Sequence, residues 1–309
     1  MREITGLPQK LAQKIARLFL LFALSACSYH DLSPDFPTQA KSMQAESFSC
    51  CADPEKFYPD PIARLGLIWG DTIGAELAQA AYGDYDDGEY PGKLTGKTEA
   101  HERITALLRP LDLLVISNKS YFLGRLMPGQ FSHSLIYVGT EAQLRAAGLW
   151  SLPEIVPYHD QIRAGNIYLE AATPEVQLTS IAKAYEVDKV VAMRPTLSGA
   201  DKRQAITRIF ASLGKPFNYS MDLDPSHDSF VCTGLIDYAM PGLNLTRREL
   251  YGRTTILPDD LASQAIRGDK LDVITYVIGT DEGYTRRSTF ALMVDIAAYW
   301  GVPTPDQSE

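Results

Sequence analysis

The sequence predicts an α+β fold. Three observations predict it. Short β-rich runs at residues 111–116, 132–138, 167–171, 189–193 and 272–279 are separated by long, uneven connections, amphipathic helical patterns lie between and around them, and no internal repeat is present. The 309 residues are 45% hydrophobic and 22% charged, which is enough apolar content to bury a proper core in one large domain or two small ones.

Taken in order, residues 28–60 are rich in Ser, Asp, Pro and Ala with little apolar period, the composition of a linker, and folding is expected from about Pro61. From 62 to 81 apolar residues recur at helical spacing (Leu65, Ile68, Ile73, Leu77, Ala80), and the Gly-Asp-Tyr-Asp-Asp-Gly stretch at 83–88 ends the pattern. A second helical pattern covers 99–108. Residues 61–108 therefore read as a helical addition packed on the core. The first two β-rich runs flank a Gly/Pro-containing loop that extends to Gln130, and Gly139 closes the second. Residues 201–213 form an amphipathic helix with Ile206, Ile209, Phe210 and Leu213 on one side and Gly214 as its stop. After a polar loop at 215–229, Cys232 opens a short helix that reaches about Met240, where Pro241 and Gly242 end it. Pro258, followed by Asp259 and Asp260, starts another, with proline in the first turn and acids at the positive end of the helix dipole.

The formal net charge of −9 and the isoelectric point near 5.1 argue against a nucleic-acid partner, which would require a basic face. No HExxH, CxxC, GxxxxGK[ST] or GxGxxG pattern is present, so no metal and no nucleotide or other cofactor is predicted.

The first 26 residues have the build of a secretory signal: Arg2, Lys10, Lys14 and Arg17 precede an apolar run at 18–24, followed by the small residues Ser25 and Ala26. The run is shorter than the roughly 20 apolar residues a spanning helix needs. Leu24-Ser25-Ala26-Cys27 resembles the lipobox of bacterial lipoproteins, which implies lipidation of Cys27 as the mature N-terminus and a tether over 27–60. An ordinary secreted protein with an incidental cysteine is the alternative. Loss of residues 1–26 removes four basic residues and one acidic residue, so the mature formal charge falls from −9 to −12. Ser28 stands where an aspartate would resemble an inner-membrane retention signal. The expected location is the cell envelope, on the periplasmic face of the outer membrane, with the membrane as a partner through the lipid on Cys27.

Beyond the inner membrane disulfides are permitted. Cys50 and Cys51 are adjacent, and because joining them needs a strained ring they are expected to stay unpaired or exchange with other thiols in the tether. Cys232 is left without an obvious structural partner. At the start of a helix, the partial positive charge of the amide ends favours its thiolate, and the local N–H groups can form an oxyanion hole. A buried core cysteine is the competing reading. Of the five histidines, His30 lies in the tether and His101 in the added helices, which leaves His133, His159 and His227 as candidate bases. His133 interrupts an apolar strand, His227 lies in a loop five residues before Cys232, and His159 reads as a surface turn. Glu170 interrupts another β-rich run, where an unpaired carboxylate is costly to bury, and such an acid can orient an imidazole. A strand-end glutamate facing water would look the same.

Five short motifs occur together: Arg-Pro-Leu-Asp-Leu-Leu at 109–114, Phe-Ser-His-Ser-Leu-Ile-Tyr-Val-Gly at 131–139, Leu-Glu-Ala at 169–171, Val-Val-Ala-Met-Arg at 190–194 and Phe-Val-Cys-Thr-Gly-Leu at 230–235. In this order they resemble the circularly permuted NlpC-type papain-like hydrolases, in particular the YiiX-like lipoprotein branch. Leu-Pro-Asp-Asp-Leu-Ala at 257–262 adds to the likeness. The resemblance implies an antiparallel sheet packed against the nucleophile helix, a catalytic domain over 109–265 and a C-terminal extension over 266–309. It also implies Cys232 as nucleophile, His133 as its base and Glu170 as the residue that orients His133. Gly234 departs from the acid usual in that branch, and Phe217-Asn218 from a Tyr-Asp pair. The function implied is a cysteine peptidase or amidase that cleaves an amide bond, with peptidoglycan stem peptides or another peptide as substrate. A lipid acyltransferase or thioesterase, and a catalytically silent lipid-anchored binding module, are the alternatives.

Overall fold

The computed structural model describes residues 45–51, 54–82, 91–118 and 127–302. The signal segment, Cys27 and most of the expected tether lie outside the described residues. Nine strands are present among those described: β1 (Leu113–Ser117), β2 (His133–Tyr137), β3 (Asn166–Ala171), β4 (Val176–Ser180), β5 (Lys189–Pro195), β6 (Arg248–Leu250), β7 (Arg253–Thr255), β8 (Leu271–Gly279) and β9 (Tyr284–Arg287). Seven form one sheet in the order β4-β3-β2-β1-β5-β8-β9, every neighbouring pair antiparallel, and β6 and β7 make a separate hairpin. The fold is α+β, as the spacing of β-rich runs predicts.

Each predicted β-rich run is a strand of the large sheet. The central β1, Leu-Leu-Val-Ile-Ser, is buried along its whole length, because helices and loops cover both of its faces. Burying a Leu, Val or Ile fully contributes about 1.5–3 kcal/mol, so this short apolar run is a strong local determinant. The edge strand β9, Tyr-Thr-Arg-Arg, is mostly exposed and polar, which blunts the free edge and also hides it from an apolar-pattern search.

Nine α-helices accompany the strands in the described chain: α1 (Asp60–Tyr82), α2 (Thr98–Thr105), α3 (Glu141–Ala146), α4 (His159–Arg163), α5 (Ile181–Ala184), α6 (Gly199–Ala211), α7 (Cys232–Ala239), α8 (Pro258–Arg267) and α9 (Thr289–Trp300). The Ser198 hydroxyl caps α6 by accepting from the Asp201 amide, and Ile206, Ile209 and Phe210 turn inward as their spacing predicts. α7 lies against α6 and against β2 and β3, while α8 lies against β1, β5 and β8.

α1 departs from the pattern-based expectation. Its predicted apolar face is largely in water, with Leu65, Ile68 and Ile73 at 45%, 53% and 40% exposure. Gly70 and Gly74 instead lie close against Tyr219 of the 215–229 loop. A Cβ at either would lie 2.6 Å from Tyr219, so only glycine admits this approach. Arg64 donates to the Tyr251 carbonyl, and Asp71 pairs with Arg253.

Both ends of the expected catalytic domain extend into neighbouring segments. β8 pairs along β5 from Lys189↔Ile278 to Pro195↔Leu271, so the sheet continues well past residue 265. α9 then buries Leu292, Met293, Ile296 and Ala297. Upstream, where a linker is expected, Phe48, Cys50 and Cys51 are buried in the core. Cys50 and Cys51 form a disulfide, which corrects the expectation of unpaired thiols in a flexible tether. Arg267 donates to the Phe48 carbonyl at 2.8 Å and Arg248 to the Cys50 carbonyl at 3.1 Å. These donors lie about two hundred residues away in sequence, which is why local composition does not reveal the docking.

Candidate active site

Cys232 is the first residue of α7, preceded by Val231 in extended conformation. Its side chain therefore sits where the unpaired amides of the first turn concentrate positive potential. It is the free cysteine among the described residues and is 4% exposed. Thr233 anchors the same turn by donating from its hydroxyl to the Ile256 carbonyl at 2.8 Å. Gly234 is tightly enclosed: a Cβ there would stand 3.1 Å from Val231 and 3.2 Å from Leu223.

His133 opens β2 and Glu170 lies near the end of β3. The two strands pair antiparallel with Ile136 opposite Leu169. Continuing that register sets Glu170 opposite Leu135, with His133 two residues along on the same face, a diagonal relation that long polar side chains can bridge. They do: His133 Nε2 and Glu170 Oε2 are 2.8 Å apart. With Nε2 engaged, Nδ1 is the ring nitrogen left for the sulfur. The imidazole side chain keeps 23% exposure, while the Glu170 side chain keeps 9%, so the acid is the enclosed end of the relay and the histidine its accessible part.

Electrostatics couple the three groups. Burial alone would lower the pKa of His133, but the Cys232 thiolate beside it, and next Glu170, push it up to about 10. For Cys232 burial works against the thiolate, yet the charge and hydrogen bond of His133 bring the thiol below its ordinary value. Glu170 follows the same logic: burial would raise it, and its hydrogen bond to His133, with smaller contributions from Lys183 and Thr179, holds it below the usual carboxylate range. The resting state these shifts favour is a thiolate and imidazolium pair steadied by a carboxylate.

The geometry brings together Cys232, His133 and Glu170 and leaves the other histidines aside. His227 lies against Tyr238 with ring centroids 4.5 Å apart. His159 stacks on Trp150 at 3.6 Å and bonds the Trp150 carbonyl through Nε2 at 2.9 Å. His101 is buried against Leu94 and Tyr185. His30 lies outside the described residues.

Sequence reasoning missed Ser134. Its amide and hydroxyl lie beside the sulfur and favour the thiolate, although the buried hydroxyl reaches hydrogen-bond geometry with no partner. Adjacency to His133 is the signal that could have flagged it. A cleft of about 230 Å³ is lined by Leu223, Phe230, Val231, Gly234 and Tyr238 among others, but by none of the three site residues. Gly234 and Tyr238 stand roughly 200° and 240° around α7 from Cys232, so this cleft backs the helix.

Among the described residues the one cluster with metal-ligating side chains is Cys50, Cys51 and Asp260. The two sulfurs are joined to each other, which removes their thiolates as ligands. No helix among the described residues is long and apolar enough to cross a membrane. In comparisons with known proteins, no family model, no curated protein and no solved structure matches the chain.

Proposed function

We propose that this protein is an envelope-anchored cysteine hydrolase of the circularly permuted papain-like type, which cleaves an amide bond in peptidoglycan stem peptides or another peptide. The observation that carries the reading is the placement of His133 against Glu170 at 2.8 Å and beside a buried cysteine at a helix start, in the chain order His, Glu, Cys. The Cys232 thiolate attacks the acyl carbon, and the amides at the start of α7 receive the developing oxyanion. The C–N bond breaks as imidazolium His133 gives its proton to the leaving amine, which leaves a thioester on Cys232. His133, now neutral, takes a proton from water as it attacks the thioester. The C–S bond then breaks, the carboxylic acid departs, Cys232 leaves as the thiolate, and His133 keeps the proton it took from water, which restores the starting pair. Glu170 holds the tautomer and the charge of His133 throughout.

The lipobox-like segment supports an anchor at Cys27, so the substrate lies within tether reach of a membrane surface. Globomycin-sensitive processing, and its loss in Cys27→Ala, test the anchor. Incubation of the protein with purified peptidoglycan tests the chemistry: peptide fragments are expected to be released, and release is expected to vanish in Cys232→Ala. Equal release by Cys232→Ala would overturn the hydrolase reading. Acyl exchange on lipid vesicles without peptide cleavage would move it to a lipid acyltransferase.

A further inference from the structure

The acids of the Leu-Pro-Asp-Asp motif have no role in the chemistry above, yet Asp259 is 0% exposed and fully engaged. Its Oδ2 accepts from the Gln130 amide at 2.7 Å and from Trp300 Nε1 at 2.6 Å, and its Oδ1 accepts from the Phe131 amide at 2.7 Å. These amides belong to the segment that leads directly into β2, two and three residues before His133. Gly129, at φ +126°, is part of the same grip: a Cβ there would meet the Asp259 carboxylate at 3.0 Å. Tyr299 reaches the Gly129 backbone, and Tyr276, which donates to Asp295 at 2.7 Å, holds the Gln130 side chain.

We infer that Asp259 is a positioning residue for His133: with Trp300 of α9, its carboxylate clamps the backbone of residues 129–131 and so sets where β2 begins and where the imidazole stands. The inference rests on the hydrolase reading of Cys232 and His133. Two backbone amides fixed by one buried carboxylate define both the position and the direction of the chain at that point, and charge-assisted hydrogen bonds of this kind are about twice as strong as neutral ones. His133 must meet a sulfur on one side and a carboxylate on the other, a geometry in which small displacements are expensive. The grip also gives the chain beyond residue 265 a part in the site, because Tyr276, Tyr299 and Trp300 all lie there.

The test uses the mature full-length chain and reads the rate of Cys232 alkylation by iodoacetamide from pH 5 to 10, with the label located by mass spectrometry and folding followed by near-UV circular dichroism. Asp259→Asn keeps the shape and turns an acceptor into a donor facing an amide. It is expected to move the alkylation midpoint upward and to slow labelling at pH 7 by about tenfold, while Trp300→Phe, which removes one donor, slows it by about threefold. Lys189 and Tyr299 near Asp259, and Glu170 and Lys183 near His133, remain in both variants. A merely structural role would lower the melting temperature and leave the midpoint in place. The inference is overturned if both variants fold and keep the wild-type midpoint, or if Asp259→Asn fails to fold and Trp300→Phe keeps it. A wild-type midpoint at the ordinary thiol value, about 8.5, would remove the hydrolase reading and this inference with it. A lowered wild-type midpoint retained in the variants removes the inference alone.

Discussion

Two buried carboxylates in the same sheet region meet a basic partner at hydrogen-bond distance, and they behave in opposite ways. Asp112, beside β1, takes Arg194 of β5 in a two-pronged grip, Oδ1 from Nε at 2.9 Å and Oδ2 from Nη2 at 2.6 Å, and also accepts from the Arg109 amide at 2.7 Å. Burial still dominates, and its carboxyl is held above its ordinary value. Glu170 meets His133 at 2.8 Å and is held below the usual range, first by that hydrogen bond and charge and to a lesser extent by Lys183 and Thr179. One pair closes on itself and joins strands. The other is one half of a chain of groups that ends on the Cys232 thiol.

The largest expected effect is at His133. His133→Ala removes the largest opposition to burial at Cys232 and leaves only Ser134 and the amides at the start of α7 to favour the thiolate, so the thiol should rise and iodoacetamide labelling at pH 7 should fall by about a hundredfold, with the fold retained by circular dichroism. Labelling that persists would make another group, His227 first, the base. Asp112→Ala should do the reverse. Leaving Arg194 without its partner costs about 2–3 kcal/mol, discounted because its side chain is 30% exposed, and should lower the melting temperature by roughly 5–10 °C while the alkylation midpoint stays put. A shifted midpoint in Asp112→Ala would erase the distinction between the two pairs.

Glu170→Gln is expected to be milder. Amide hydrolysis should slow by about tenfold and the Cys232 midpoint should rise, because a neutral partner no longer steadies the imidazolium. Acid unfolding gives the smallest and sharpest contrast. A carboxyl lowered on folding contributes stability that is present above its unfolded value and lost as pH falls through the folded one. A raised carboxyl opposes stability as pH rises past its unfolded value. Urea midpoints between pH 3 and 5 should therefore lose less on acidification in Glu170→Gln, and lose more in Asp112→Asn, than in the wild type.

The same two pairs show what was legible in the sequence. Short apolar runs marked β1, β2, β3, β5 and β8, because strands that are mostly buried cannot disguise their composition. Cys232, His133 and Glu170 became candidates because each breaks a local rule, a thiol at a helix start and an imidazole and an acid inside β-rich runs, but the choice among rivals such as His227 came from the resemblance of the ordered motifs to the permuted papain-like hydrolases. The motifs at 109–114 and 190–194 were visible as well, but nothing local says that they meet in Asp112 and Arg194 as a clamp between strands. Long-range docking was least visible. Phe48 and the Cys50–Cys51 disulfide read as linker because their donors, Arg248 and Arg267, lie far along the chain. Trp300 gave no hint that it would reach the segment preceding His133. The glycine face of α1 was hidden for a different reason: a pattern search weighs the apolar residues Leu65 and Ile68, whereas the packing uses the absence of side chains at Gly70 and Gly74.

The central claim is that Cys232 and His133 share a charge pair, and NMR titration of histidine-labelled protein reads it directly. His133 in the wild type is expected to keep its second proton to about pH 10 and to titrate at clearly lower pH in Cys232→Ala, where the thiolate is gone and burial is opposed by Glu170 alone. A His133 that titrates at the ordinary value, about 6.5, in both proteins would contradict the account.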